Sequence, residues 1–178
     1  MITIKDKTFV PYISATQIQQ RIEALGQTIS ADYKGKNPLI ISVLNGAFIF
    51  SADLLRALSI DAEITFIRIS SYAALQSTGN VKELLGLKEN IFGREVLIIE
   101  DIVDTGETLA YLQEVFKELG PKSLKVVSLL HKPEAQKKAN SPDYVGFDIP
   151  TKFVVGYGLD YDGLGRGLKE IYQLHEDS

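Results

Sequence analysis

The 178-residue chain contains no cysteine, which removes at once any disulfide framework, any thiolate metal site and any thiol nucleophile. It also lacks a stretch approaching the roughly 20 apolar residues needed to cross a bilayer, and its opening, MITIKDKTFVPYIS, has no basic patch followed by an apolar run. A cytoplasmic protein with no membrane partner is expected. A basic excess is missing as well. The net charge of −4 argues against broad nucleic-acid binding, and it means that a highly anionic substrate must be met by local cations or a metal. No internal repeat, low-complexity tract or linker interrupts the chain. A hydrophobic content of 45% over this length suits one domain, 1–178, with a real core.

What the chain does have is an alternation of short apolar runs and segments of helical period. PLIISVL, AEITFIRI, EVLIIE, SLKVVSLL and FVVGYG read as strands. Between them, Ala47 to Leu58 places Phe48, Ala52, Leu55 and Leu58 on one helical face, and Leu109 to Leu119 places Leu109, Leu112, Val115, Phe116 and Leu119. Strands apolar on both faces and joined by helices predict an α/β fold with a mainly parallel sheet covered on two sides, whose ligands gather at the carboxyl ends of the strands. Ser14 to Ala31 reads as a Ser-capped helix, whereas Ser70 to Gly93 is polar, contains glycine and is longer than an ordinary connection, as a flap would be.

One stretch carries chemistry. In VLIIEDIVDTGETL, Val96 to Leu109, a strand ends in Glu100 and Asp101 before Asp104 to Thr108 opens a helix. Gly106 lets the backbone approach an anion, Thr105 and Thr108 add hydroxyl donors, and the free N–H groups of a first helical turn point to the same place. Two carboxylates beside a phosphate would repel it unless they accept hydrogen bonds from sugar hydroxyls or sit near a divalent cation. A ribose 5-phosphate satisfies both conditions. A plainer reading makes Asp104 a helix cap boxed with Glu107, with Glu100 and Asp101 merely solvated; it accounts for the capping but not for the glycine and the two threonines.

The same stretch resembles the phosphoribosyl diphosphate signature of type I phosphoribosyltransferases. VLNGAFIFSADLLR, SSYAALQSTGNVK, SLLHKPE and DYVGFDIPTKFVVGYGLDY extend the resemblance over most of the chain and make it most similar to the hypoxanthine-guanine branch of that family. The resemblance implies a type I phosphoribosyltransferase fold, with a core of about 35–158 and a small hood built from about 1–34 and 159–178. It implies an Mg²⁺-dependent transfer of the 5-phosphoribosyl group from 5-phospho-α-D-ribosyl 1-diphosphate to hypoxanthine or guanine, which is purine salvage, and a homodimer or homotetramer.

Carried over by position, the resemblance gives Glu100 and Asp101 the ribose hydroxyls, and Asp104, Thr105, Gly106, Glu107 and Thr108 the 5-phosphate. Asp104 also becomes the acid–base residue at the purine imidazole ring. Asn45 and Gly46, with an unusual cis peptide between them, and Arg166 would hold diphosphate; relatives often carry a basic residue at the position of Asn45. Lys132 would donate to the purine 6-oxo group, Phe153 would stack on the base and the Val154 backbone would read its edge, with Asp160 beside them. Glu100, Asp101 and Asp160 would hold Mg²⁺, and Ser71 and Tyr72 would begin a closing lid. His131 reads as structural. Two readings compete: a phosphoribosyltransferase of different base choice, against which Lys132 and FVVGYGLDY argue for 6-oxopurine use, and a nucleotide-sensing RNA regulator, against which Lys117, Lys122, Lys125, Lys137 and Lys138 are interspersed with neutral and acidic residues and read as a solvated face.

Overall fold

The computed structural model describes residues 1–69, 86–137 and 140–175. The chain begins with a hairpin, β1 (Ile2–Ile4) and β2 (Lys7–Ile13), and enters helix α1 (Ala15–Asp32) through Ser14. That start is a reciprocal cap: the Gln17 N–H donates to Ser14 Oγ at 3.3 Å, and the Ser14 N–H donates to Gln17 Oε1 at 2.9 Å. Strand β3 (Leu39–Leu44), helix α2 (Phe48–Ala57), β4 (Glu63–Arg68), β5 (Glu95–Val103), helix α3 (Glu107–Glu118), β6 (Ser123–His131) and β7 (Tyr144–Asp148) follow. Two short strands, β8 (Val154–Val155) and β9 (Ile171–Leu174), come last among the described residues.

The five core strands lie in the order β4-β3-β5-β6-β7, and every pairing among them is parallel. Alternate side chains of this sheet enter two separate apolar layers. Ile40, Leu97, Ile99, Val127 and Leu129 pack with Ile18, Ile22, Leu25 and Ile29 of α1 and with Phe50 and Leu54 of α2. Leu39, Ile41, Val96, Ile98 and Val126 pack with Leu109, Leu112, Val115 and Phe116 of α3. The expected parallel sheet, covered on both faces, is present, and the α3 stripe is the expected one. A second, antiparallel sheet, β1-β2-β9-β8, joins the two ends of the chain into the hood.

Three expectations need correction. FVVGYG is not the fifth core strand: only Val154 and Val155 are extended, and they pair with β9 in the hood. Gly156, Tyr157 and Gly158 all have positive φ, of 102°, 50° and 102°, which ends the strand. The fifth core strand is instead Tyr144–Asp148, whose Gly146 weakens the apolar signal; a Cβ there would lie 2.3 Å from the Leu129 carbonyl oxygen. Its outer side is covered by Arg21 of α1, which donates to the Gly146 and Val145 carbonyls at 2.7 and 2.6 Å.

The buried face of α2 is also different, made by Phe50, Ser51 and Leu54, while Phe48 is 43% exposed. Ser51 hides in that stripe because its hydroxyl donates to buried Ser42 Oγ at 2.7 Å, so a polar letter occupies a core position. Finally, α1 packs on the core sheet, so residues 15–32 belong with the core and not with the hood.

The crossing of α1 and α2 depends on a missing side chain. A Cβ on Gly26 would lie 2.6 Å from the Ala57 carbonyl oxygen. Gly→Ala inside an unhindered helix stabilises by about 1 kcal/mol. Gly26→Ala should do the reverse, lowering the urea-unfolding free energy by about 1–3 kcal/mol as the two helices are forced apart.

Candidate active site

The strand β5 runs farther than the aliphatic run that announces it, so Glu100 and Asp101 are strand residues and point to opposite sides of the sheet. Glu100 faces α3. Together with Ile102, Val103, Asp104, Thr105, Gly106, Thr108 and Leu109 it lines a small cavity at the start of that helix. Gly106 is the residue before the helix, with φ 76°, and the Glu107 N–H lies 3.4 Å from Thr105 Oγ1. Helix amides, two hydroxyls and a left-handed glycine therefore gather around this cavity, an arrangement that could hold an anion.

The plainer reading of Asp104 fails, because no side chain caps α3. The Asp104 carboxylate instead accepts a hydrogen bond from Lys132 Nζ at 2.7 Å. Glu107 is exposed, with its carboxylate 3.9 Å from Lys137 Nζ, and its side chain does not line the cradle.

Asp101 faces a second cavity, which adjoins the first through Ile102 and Asp104 and is also lined by Lys132, Phe153, Val154, Leu159 and Asp160. Ile102 and Leu159 are additions to the residues expected from sequence; Ile102 lay within the signature but reads there as one more aliphatic residue. Phe153 is 47% exposed, and its ring is braced by Phe9 at 6.3 Å and, edge-on, by Tyr161 at 5.9 Å between centroids. Lys132 is buried, with its backbone N–H donating to the Val103 carbonyl at 2.9 Å. His131 is buried in a structural network, with Nδ1 2.7 Å from Asp148 and Nε2 3.1 Å from Gln136 Oε1.

The turn after β3 reaches the same place. Its cis peptide is Leu44–Asn45, one bond earlier than expected. A Cβ on Gly46 would lie 1.6 Å from Asp101 Oδ2, and a Cβ on Gly158 would lie 2.1 Å from the Gly46 carbonyl oxygen. Asn45 accepts a hydrogen bond on Oδ1 from Arg68 Nη2 at 2.7 Å, a partner that sequence spacing does not suggest. From the C-terminal side, Arg166 donates to the Gly158 carbonyl at 2.7 Å and pairs with Asp160 at 2.7 Å, whose other oxygen accepts from the Gly163 N–H at 2.7 Å.

The fold thus brings together Glu100, Asp101, Asp104, Thr105, Gly106, Thr108, Asn45, Gly46, Lys132, Phe153, Val154, Asp160 and Arg166. Ser71 and Tyr72 lie outside the described residues.

Burial and like charge hold the Glu100 carboxyl well above the usual carboxylate range: loss of water dominates, and Asp101 adds repulsion. Asp101 is also raised by burial, although the Ile102 N–H at 2.9 Å and the nearby Arg166 oppose the shift and Asp160 reinforces it. Glu100 Oε1 is buried with no hydrogen-bond partner. Such an oxygen in a cleft is a place for a ligand hydroxyl or a cation.

A raised carboxyl binds its proton more tightly in the folded chain than in the unfolded one. Its contribution to stability is therefore full below the ordinary pKa of 4.5 and is lost as pH rises toward the folded value. Glu100→Gln should accordingly raise the ligand-free Tm above pH 4.5 and flatten its decline with pH, as measured by calorimetry across the acid-to-neutral range.

Comparison with known proteins agrees with this geometry. Residues 14–162 match the family model of the phosphoribosyl transferase domain. The chain is 44% identical over 160 residues to a hypoxanthine-guanine phosphoribosyltransferase of Bacillus subtilis, covering 89% of each. It is 46% identical over 160 residues to the bifunctional protein TilS/HprT of Listeria innocua, but spans only 25% of the length of that relative. The crystal structure of the hypoxanthine phosphoribosyltransferase of Trypanosoma cruzi superposes with a TM-score of 0.84 at 40% identity, covering 93% of this chain and 95% of that one.

Proposed function

The chain belongs to the phosphoribosyl transferase family, and from that premise we propose that it transfers the 5-phosphoribosyl group of 5-phospho-α-D-ribosyl 1-diphosphate to hypoxanthine and guanine, releasing diphosphate and forming the nucleoside monophosphate. The observation that carries the base assignment is the 2.7 Å contact between Lys132 and Asp104 at the border of the two cavities. On a 6-oxopurine the exocyclic oxygen and the neighbouring imidazole nitrogen lie side by side, one an acceptor only and the other a proton carrier. An ammonium beside a carboxylate matches that pair. Adenine would present an amino group to a buried ammonium, donor against donor.

In this reading Phe153 stacks on the purine, Lys132 donates to the 6-oxo oxygen and Asp104 holds or removes the imidazole proton. The other imidazole nitrogen then attacks the anomeric carbon as the bond to diphosphate breaks. Asp101 and Glu100 accept from the ribose hydroxyls, which offers the orphaned Glu100 oxygen a donor. The amides and hydroxyls at the start of α3 hold the 5-phosphate, while Asn45, Gly46 and Arg166 receive the diphosphate.

Mg²⁺ fits as an ion shared with the substrate. Among the described residues no three acidic or histidine side chains converge into a cage of their own, and Mg²⁺ commonly combines one or two carboxylates with water and substrate phosphates. Of Asp160, Asp101 and Glu100, the carboxylates proposed to hold it, one or two would do so together with water and substrate oxygens, and its charge would offset that of the leaving diphosphate.

The surface favours a small-molecule partner over nucleic acid, since Lys122 pairs with Glu95 at 3.0 Å and Lys125 with Asp32 at 3.6 Å. Among the described residues no helix is long and apolar enough to cross a membrane, in keeping with the cytoplasmic site proposed here. A homodimer or homotetramer is part of the same proposal, supported by exposed Phe48 on α2 and Phe66 on the edge strand β4.

Diphosphate release measured with each base in parallel, and the product nucleotide identified, tests the reaction. Hypoxanthine and guanine should turn over and adenine and uracil should not; preference for adenine, or no turnover with any base, would contradict it. Asp104→Asn should then lower kcat by about 10²- to 10⁴-fold, the range of general acid–base catalysis, with little change in KM for the sugar diphosphate.

A further inference from the structure

The turn after β3 poses a charge problem that the residues discussed so far do not solve. Diphosphate is strongly anionic, and it would enter a site containing Glu100, Asp101, Asp104 and Asp160. Two cations of the site are already engaged, Lys132 by Asp104 and Arg166 by Asp160, each at 2.7 Å. Asn45 and Gly46 bring no charge. Strand β4, however, lies parallel to β3 with Leu44 opposite Arg68. The last residue of β4 therefore stands beside the first residues of the turn, at the carboxyl ends of both strands. Arg68 is exposed, and its Nη2 donates to Asn45 Oδ1 at 2.7 Å across 23 residues of sequence.

We propose that Arg68 is a diphosphate-binding residue, aimed at the turn by the side-chain amide of Asn45; this rests on the phosphoribosyl-transfer reading above. A guanidinium presents five N–H donors in a planar fork, and the Asn45 oxygen engages the fork at Nη2, so it can also take phosphoryl oxygens in a paired arrangement. A neutral amide suits the task better than a carboxylate would. It orients the cation without cancelling its charge. Asn45 thus acts on diphosphate through Arg68, and the turn acquires a positive charge that its own sequence lacks.

Two readouts test this on the full chain: KM for 5-phospho-α-D-ribosyl 1-diphosphate, and the Kd of Mg²⁺-diphosphate by calorimetry. Arg68→Ala should weaken both by about 10- to 100-fold, the range of a charged hydrogen bond, while KM for hypoxanthine stays within about twofold. Arg68→Lys should fall between, because an ammonium keeps the charge but not the paired geometry. In Arg68→Ala, the added change Asn45→Lys places an ammonium directly on the turn and should recover most of the lost affinity.

Wild-type KM and Kd in Arg68→Ala would overturn the proposal. So would failure of Asn45→Lys to recover any affinity, which would make Arg68 a support for the Asn45 side chain and not a ligand. If the wild-type chain makes no nucleotide from any base yet binds diphosphate, the reaction fails, and the calorimetric arm still decides Arg68.

Discussion

The site depends on one close contact, a carboxylate pressed against a glycine. Asp101 Oδ2 occupies space that any side chain at position 46 would need, and the Gly46 carbonyl in turn occupies the space of a side chain at position 158. Three parts of the chain are stacked by this arrangement: the carboxyl end of β5, the turn after β3, and the loop that carries Asp160 and Arg166. In the proposed reaction the ribose would fall to the first of these segments and the diphosphate to the other two, all far apart in sequence, and the absence of two Cβ atoms is what lets them meet.

That stack is electrostatically unfavourable without a ligand. Burial raises both Glu100 and Asp101, with Asp101 repelling Glu100 and Asp160 repelling Asp101, and Glu100 keeps a buried oxygen with no partner. Marginal folding stability makes such a cost significant. In the proposed reaction it would be repaid as ribose hydroxyls donate to these oxygens and a divalent cation enters with the substrate. The cations are distributed around this acidic centre rather than within it: Lys132 beside Asp104, Arg166 beside Asp160 and Arg68 beside Asn45 at the outer turn. An overall charge of −4 is then no obstacle to an anionic substrate, because the relevant charge is local.

Much of this was legible where chemistry is contiguous in sequence. The run from Val96 to Leu109 announces its strand, its acids and its glycine-led helix start because all three are consecutive, and the α3 stripe follows simple helical spacing. Legibility ended where long-range packing decides. Ser51 occupies a core position because Ser42 satisfies its hydroxyl, and no pattern of apolar letters reveals that. FVVGYG looks like a strand until the left-handed conformations of residues 156 to 158 are known. The pairing of Asp104 with Lys132 spans 28 residues, and that of Arg68 with Asn45 arises only because β3 and β4 end at the same level. Resemblance names candidate site residues; it does not reveal their mutual engagement.

The central claim is that the glycine at position 46 is required because it unites the ribose and diphosphate subsites. Calorimetric titration of Gly46→Ala with 5-phospho-α-D-ribosyl 1-diphosphate and Mg²⁺, alongside its thermal unfolding, tests this most directly. The account predicts a cooperatively folded protein whose affinity for the sugar diphosphate falls by about 100-fold or more, as expected when at least two charged hydrogen bonds are displaced together. Wild-type affinity in that variant would show that Asp101 and the turn act independently, and would contradict it.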